Sequence, residues 1–317
     1  MSKLNVRIAR KVAEADGIDS FEFIGVEGAV LPPFSAGSHV DVHLPGGLIR
    51  QYSLCNDPSE QHRYQIAVLR EPQSRGGSAA MHALKEGDTL QISMPRNHFP
   101  LVPAQHTLLL AGGIGVTPLL SMAERLTHLE ADFALHYCTR SPERTAFRDR
   151  IAGSAFAPRA HIHHDSDHPE QRLDMAATLG PARADVHVYI CGPSGFIDYA
   201  LTTARARGWP AAQLHVEYFA GATATADPVE SFEVKAARSG KCFTVPAGKS
   251  VAEVLIANGI DLQLSCEQGV CGTCILRVLE GKPDHRDLIL SDEEKAANDQ
   301  FTPCCSRSLS PLLVLDI

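Results

Sequence analysis

The stretch SCEQGVCGTC, residues 265–274, places Cys266, Cys271 and Cys274 in a C-x4-C-x2-C spacing. One tight loop therefore offers three thiolates, and TPCCSRS, residues 302–308, adds Cys304 or Cys305 about thirty residues later. Four thiolates distributed in this way match the plant-type [2Fe–2S] spacing, in which two bridged irons take three ligands from one loop and one from across the fold. A four-cysteine zinc site usually joins two C-x2-C knuckles instead. Gly269 and Gly272 let the backbone come close enough for its amides to reach the sulfurs.

Around this loop the chain reads as a small α+β module. ESFEVKAARSGKCFTVPAG has the form of a hairpin. SVAEVLIANG is a helix opened by a capping box, Ser250 to Glu253, and stopped by Gly259. CILRVLEG reads as a strand, SDEEKAAN as a second helix boxed by Ser291 and Glu294, and PLLVLDI as a closing strand. Residues 219–230, FAGATATADPVE, are small, polar and Pro-containing, the composition of a linker.

Upstream, HTLLLAG, DFALHYCTR, AHIHHD and VHVYICG are buried-strand patterns alternating with helical ones such as PLLSMAERLTHL and GFIDYALTTARARG, which predicts an α/β layer. In LLLAGGIGVTPLLSM, Gly112, Gly113 and Gly115 separate a strand from a helix, where backbone can approach a pyrophosphate at a helix N-terminus. The pattern is not G-x-G-x-x-G. Thr117 and Pro118 start the helix, Pro118 near its first position. Further upstream, NVRIARKV, FEFIGVEG, HVDVHLP, IRQYSL, RYQIAVLR and TLQISMP are short strands broken by Gly, Pro, Asn and Asp, which predicts an antiparallel barrel. The expected domains are 1–102, a β-barrel; 103–225, an α/β domain; and 226–317, a domain holding the [2Fe–2S] loop.

A one-electron cluster cannot take a hydride directly; something must accept two electrons and release them singly, and flavin is the usual answer. RQYSL and RGGS supply the residues. Tyr52 can pack on an isoalloxazine, with Gln51 beside it, and Ser53 can hydrogen-bond near the reactive N5. Arg50, Arg75, Gly76, Gly77 and Ser78 can bind phosphate.

The 317 residues suffice for two or three domains. No segment approaches the roughly 20 apolar residues of a membrane span. The N-terminus alternates like a strand and has no signal-peptide core, so a cytoplasmic protein is expected, without a membrane partner. A net charge of −8 without a Lys/Arg cluster argues against nucleic acid. Nine cysteines, clustered, in a reducing compartment point to metal rather than disulfides. Cys55, Cys138 and Cys242 are expected to be buried fillers. HIHHDSDH holds His161, His163, His164 and His168, but without an obvious remote ligand it reads as a solvated strand end.

The run SCEQGVCGTCILRVLEGKPDHRDLILSDEEKAANDQFTPCCSRS resembles the ferredoxin domain of the phthalate dioxygenase reductase family. The same domain order extends the resemblance over essentially the whole chain. It implies a multi-domain fold: a flavin barrel, a nucleotide-binding domain of the ferredoxin–NADP reductase type and a β-grasp ferredoxin. The family's fourth ligand precedes one residue and then Ser-Arg, which selects Cys304. The resemblance implies FMN as the flavin, with Ala67, Val68 and Leu69 on the strand beside it. It places Thr117 and Cys191 near the nicotinamide, with Gly192 and Pro193 in the loop that flanks it, and Phe219 against the flavin. Ser53, Thr117, Cys191 and Phe219 are thus the expected catalytic positions. Thr139 and Arg140 stand where the nucleotide's 2′ position is read. Arg140 suits a 2′-phosphate on general grounds, whereas the resemblance implies NADH. It also implies a Rieske non-haem iron oxygenase as the electron acceptor, with a cytochrome P450 as the alternative.

Overall fold

The computed structural model describes residues 3–72, 76–165, 169–219 and 231–317. Arg75, His168 and most of the stretch read as a linker lie outside the described residues. The chain divides into two compact units, Met1–Glu217 and Tyr218–Ile317.

In the first unit, Lys3–Ala15 (β1), Ile18–Gly25 (β2), Ser38–His43 (β3), Ile49–Ser53 (β4), Tyr64–Leu69 (β5), Thr89–Ser93 (β6) and Arg96–Asn97 (β7) form one antiparallel sheet. Its order is β4-β3-β6-β1-β2-β5, with β7 on β3. The outer strands β4 and β5 run against each other, so the sheet curls into a barrel. The period-2 alternation of the sequence explains the interior: Val6, Ile8, Phe21, Phe23, Val40, Val42, Ile66 and Ile92 are wholly buried there. A short helix, Gly77–Ala83 (α1), follows β5.

The α/β layer contains His106–Gly112 (β8), Asp132–Thr139 (β9), Ala160–His164 (β10), Val186–Gly192 (β11) and Leu214–Tyr218 (β12), in the order β10-β9-β8-β11-β12. The helices are Val116–His128 (α2), Arg148–Ala152 (α3), Met175–Leu179 (α4) and Ser194–Ala206 (α5). Strand order reverses between β8 and β11, which opens a crevice at their carboxyl ends. α2 begins two residues before Pro118, so that proline is third in the helix rather than first. It still costs nothing there, because the first-turn amides lack intrahelical acceptors. Ile18, Ala36, Cys55 and Phe99 of the barrel share one core with Leu109, Leu119, Leu135 and Tyr189 of the layer, which makes this unit compact.

In the second unit, Phe232–Ala236 (β13), Cys242–Val245 (β14), Leu276–Glu280 (β15), Pro283–Asp284 (β16), Gln300–Phe301 (β17), Arg307–Ser308 (β18) and Leu312–Leu315 (β19) surround Val251–Ala257 (α6) and Asp292–Ala297 (α7). The main sheet runs β14-β13-β19-β15-β17, with β13 and β19 parallel, and α6 packs into its core through Val251, Val254 and Leu255. Both capping boxes form: Ser250 and Glu253 exchange bonds of 3.1 and 2.7 Å, and Ser291 and Glu294 bonds of 3.2 and 2.8 Å.

Candidate functional site

In the second unit the cysteine loop leads from α6 to β15. Its thiols fall into two pairs. Cys266 is hydrogen-bonded to Cys271, and Cys274 to Cys304. The shared bond pushes Cys266 up and Cys271 down. Backbone amides converge on the same sulfurs: Gln268 and Val270 on Cys266, Thr273 on Cys271, and Gly269 on Cys304. Gly269 is confined by its neighbours. At φ +72°, an added Cβ would stand 2.4 Å from Cys305 Sγ and 3.0 Å from Asp287. Cys305 also bonds to Cys304, but its thiol turns to Thr302 Oγ1 at 3.2 Å and Ser306 Oγ at 3.8 Å.

In the first unit, Arg50 and Gly77 meet at the start of α1. A Cβ on Gly77 would lie 2.6 Å from Arg50 Cγ and Nε, and Gly76 takes φ +90°. Arg50 also donates to Ile49 O at 2.7 Å, and Ser78 Oγ accepts from the Glu71 amide at 3.1 Å. Tyr52 is partly buried against the barrel core, which pushes its hydroxyl well above its ordinary range. Ala67 and Val68 are buried on β5 and Leu69 is partly so, while Gln51 Nε2 lies 3.5 Å from Asp41.

Ser53 Oγ donates to Glu217 Oε2 at 3.3 Å, joining β4 of the barrel to β12 of the layer. Desolvation pushes Glu217 up to about 8, although its side chain is only partly buried by area. The buried Cys191 thiol lies close enough for Glu217 to help raise it, although its own burial is the larger cause. Glu217 was missed in the sequence, where it is one acidic residue among 37. Only a signal that pairs β4 with β12 would have found it.

The three glycines of the turn after β8 differ in role. A Cβ on Gly115 would come within 2.2 Å of Cys191 O, and one on Gly112 within 3.0 Å of Phe196, so both serve packing of the turn against the β11 loop. Gly192 lies equally close to Gly112. Gly113, at φ +53°, faces open space and is the position that can present its backbone to a ligand. Thr117 is buried, and its hydroxyl donates to Ile114 O at 3.1 Å. Pro193 precedes α5. Phe219 is 38% exposed and follows β12, beyond the boundary between the two units.

Residues 109–202 match the oxidoreductase NAD-binding domain family, and residues 234–309 the 2Fe-2S iron-sulfur cluster binding domain family. The chain is 54% identical over 307 residues to the vanillate O-demethylase oxidoreductase of Pseudomonas putida, with 96% of each chain covered. A solved phthalate dioxygenase reductase, described as a modular structure for electron transfer from pyridine nucleotides to [2Fe-2S], is 40% identical, with a TM-score of 0.80 over 100% of this chain and 98% of that one. The chain belongs to the phthalate dioxygenase reductase family. It is also similar to an intact type IV self-sufficient cytochrome P450 monooxygenase, 36% identical with a TM-score of 0.84, covering 99% of this chain and 41% of that one.

This reductase is therefore an oxidoreductase built from a flavin barrel, a NAD-binding α/β domain and a 2Fe–2S ferredoxin domain. Its residues fit these groups. Two thiol pairs suit two irons better than one metal ion, and amides aimed at the sulfurs are what a sulfur-rich, negatively charged cluster needs. Arg50 packs directly on Gly77 at the start of α1, where an added Cβ would displace its guanidinium arm.

One sequence reading changes. Cys242 is exposed and Cys138 partly so, because strand alternation turns Cys242 outward; Cys55 alone of the three is wholly buried. His161 is exposed and His163 partly so, on the strand that ends at His164, and both stack on a neighbour. His136 of β9 stacks between them, with centroids 4.9 and 5.3 Å away, and its Nδ1 is 3.0 Å from His163 Nε2. Among the described residues, no three such side chains are placed to hold one metal ion. No described helix is long and apolar enough to cross a membrane.

Proposed function

We propose that this chain is the NADH-dependent reductase component of a two-component Rieske oxygenase acting on an aromatic acid. The observation that carries the reading is a single chain combining the Ser53–Glu217–Cys191 cluster at a nucleotide crevice with two cysteine pairs at a ferredoxin loop. When bound, FMN accepts the two electrons of the NADH hydride and releases them singly, and the [2Fe–2S] cluster carries them onward.

The chain's own groups divide the work. Arg50, Gly76, Gly77 and Ser78, with Arg75, hold the FMN phosphate, while Gln51, Tyr52, Ala67, Val68 and Leu69 line its ring. Ser53 presents a hydroxyl at the reacting edge, and Glu217 behind it holds the proton that this edge exchanges. Gly113 offers its backbone to the NADH pyrophosphate. Gly112, Gly115, Gly192 and Pro193 keep the two crevice loops in contact. Thr117 and Cys191 form a dry wall beside the nicotinamide, and Thr139 and Arg140 stand at the adenosine end. Cys266, Cys271, Cys274 and Cys304 would hold the cluster.

Relatives named for vanillate O-demethylase and phthalate dioxygenase support an oxygenase as the separate acceptor. The P450 likeness supports a second reading, delivery to a cytochrome P450. Purified reductase is tested with NADH and each acceptor in turn. Product formation by a Rieske oxygenase supports the first reading. Turnover of a P450 alone supports the second. Absence of NADH-dependent ferricyanide reduction overturns both.

A further inference from the structure

Thr139 cannot serve the nucleotide with its hydroxyl. It is 3% exposed, and its Oγ1 lies 2.8 Å from Thr145 Oγ1, 3.3 Å from Ser141 O and 3.0 Å from His164 Nδ1. Thr145 Oγ1 in turn lies 3.0 Å from Ser141 O. Two hydroxyl protons must serve the contacts among Thr139, Thr145 and the Ser141 carbonyl, so neither is left for His164. The network is satisfied when His164 carries its proton on Nδ1 and donates it to Thr139. His164 Nε2 then keeps a lone pair.

His164 is the last residue of β10 and the register partner of Thr139, the last of β9. Ligands of such sheets bind outside these carboxyl ends, and the end of the second strand is where the adenosine ribose is read. The bonds from His164 through Thr139 also pin the loop that carries the exposed Arg140. Glu143 stands on that loop, its carboxyl held below the ordinary range chiefly by the Ser141 hydroxyl.

We infer that His164 is a specificity-determining residue for the nucleotide: its Nε2 accepts a hydrogen bond from the adenosine ribose diol of NADH and disfavours the 2′-phosphate of NADPH. A hydroxyl can donate to this lone pair. A phosphate dianion has no proton to give. Selection for NADH thus arises beside an arginine that would otherwise favour NADPH. This inference rests on the nucleotide-binding reading of the domain.

The test uses full-length protein and the ligands ADP-ribose and 2′-phospho-ADP-ribose, with Kd measured by calorimetry. His164→Asn places an amide donor near the Nδ1 position, so it keeps the bond to Thr139 and loses the outward acceptor. In this variant Kd for ADP-ribose rises about three- to tenfold, the range of one neutral hydrogen bond, while Kd for the 2′-phospho ligand falls or holds. Its thermal midpoint stays near wild type, whereas that of His164→Ala drops. An unchanged ratio of the two Kd values in His164→Asn overturns the inference. So does equal weakening toward both ligands, the mark of a structural role. Wild type that binds neither ligand removes the nucleotide reading, and this inference with it.

Discussion

The Ser53 hydroxyl donates to the Glu217 carboxyl at 3.3 Å, a bond that joins residues 164 positions apart and two layers of the fold. It sets a carboxyl that desolvation makes reluctant to ionise at the edge where barrel and nucleotide layer meet. The chemistry that follows depends on Glu217 staying protonated.

Desolvation raises Glu217 from 4.5 to about 8. Between those values the folded protein binds more protons than the unfolded chain, so stability falls as pH rises. The contribution is fully present below about 4.5 and is lost as pH passes through about 8. Glu217→Gln removes this titration and should flatten the decline by on the order of a few kcal/mol. Urea unfolding of both proteins at pH 5, 7 and 9 checks it. Parallel curves would show that Glu217 does not carry this shift.

The fold was legible where a local period decides burial. Val6, Ile8, Phe21 and Phe23 alternate in sequence and line the barrel interior. The capping boxes at Ser250 and Ser291 were equally readable, because all their partners lie within three residues. The site was legible only in part. Cysteine spacing indicates a cluster loop, yet the turn of Cys305 toward Thr302 depends on how the loop packs against Gly269. Glu217 and His164 gain their meaning from strand partners 164 and 25 residues away, and no local pattern encodes such pairings. Thr139 shows the reverse case: a polar residue at a nucleotide-reading position whose hydroxyl is taken up by its own loop.

Cys304, paired with Cys274, should be the fourth iron ligand, and Cys305 a neighbour. Cys304→Ser should lose most of its iron and the reduced-state EPR signal. Cys305→Ser should keep both, since its thiol bonds Thr302 and Ser306 as well as Cys304. The opposite pattern would exchange the two roles.

Gly77 should be required for flavin retention. A methyl group there would come within 2.6 Å of the Arg50 side chain and displace it from the start of α1. Gly77→Ala and Arg50→Ala should therefore weaken FMN binding alike, by roughly tenfold or more, as expected for loss of a charge-assisted bond of about 1.5–3 kcal/mol. Fluorescence titration of the apoprotein with FMN measures this. Heat extraction of the native protein should release FMN, and release of FAD would refute the assignment.

The last prediction concerns the exit of electrons. Residues 227–317 hold nine Lys/Arg and fourteen Asp/Glu, a net charge of −5, so most of the chain's −8 lies in the ferredoxin part. Asp292, Glu293 and Glu294 open α7, none of them buried. A surface of one sign steers encounter with a basic partner and loses that advantage as salt screens it, within about 10 Å at 0.1 M. Oxygenase-coupled turnover should therefore fall with added NaCl, while NADH–ferricyanide activity, which needs no such docking, falls less. The division between units near residue 217 allows a direct dissection. A chain ending near Ala226 should retain FMN and reduce ferricyanide with NADH, because the barrel and the α/β layer share one core. It should not drive the oxygenase, because Cys266, Cys271, Cys274 and Cys304 are gone. If the shortened chain drives the oxygenase at the full-length rate, the electrons leave from the flavin and the ferredoxin part is not their exit.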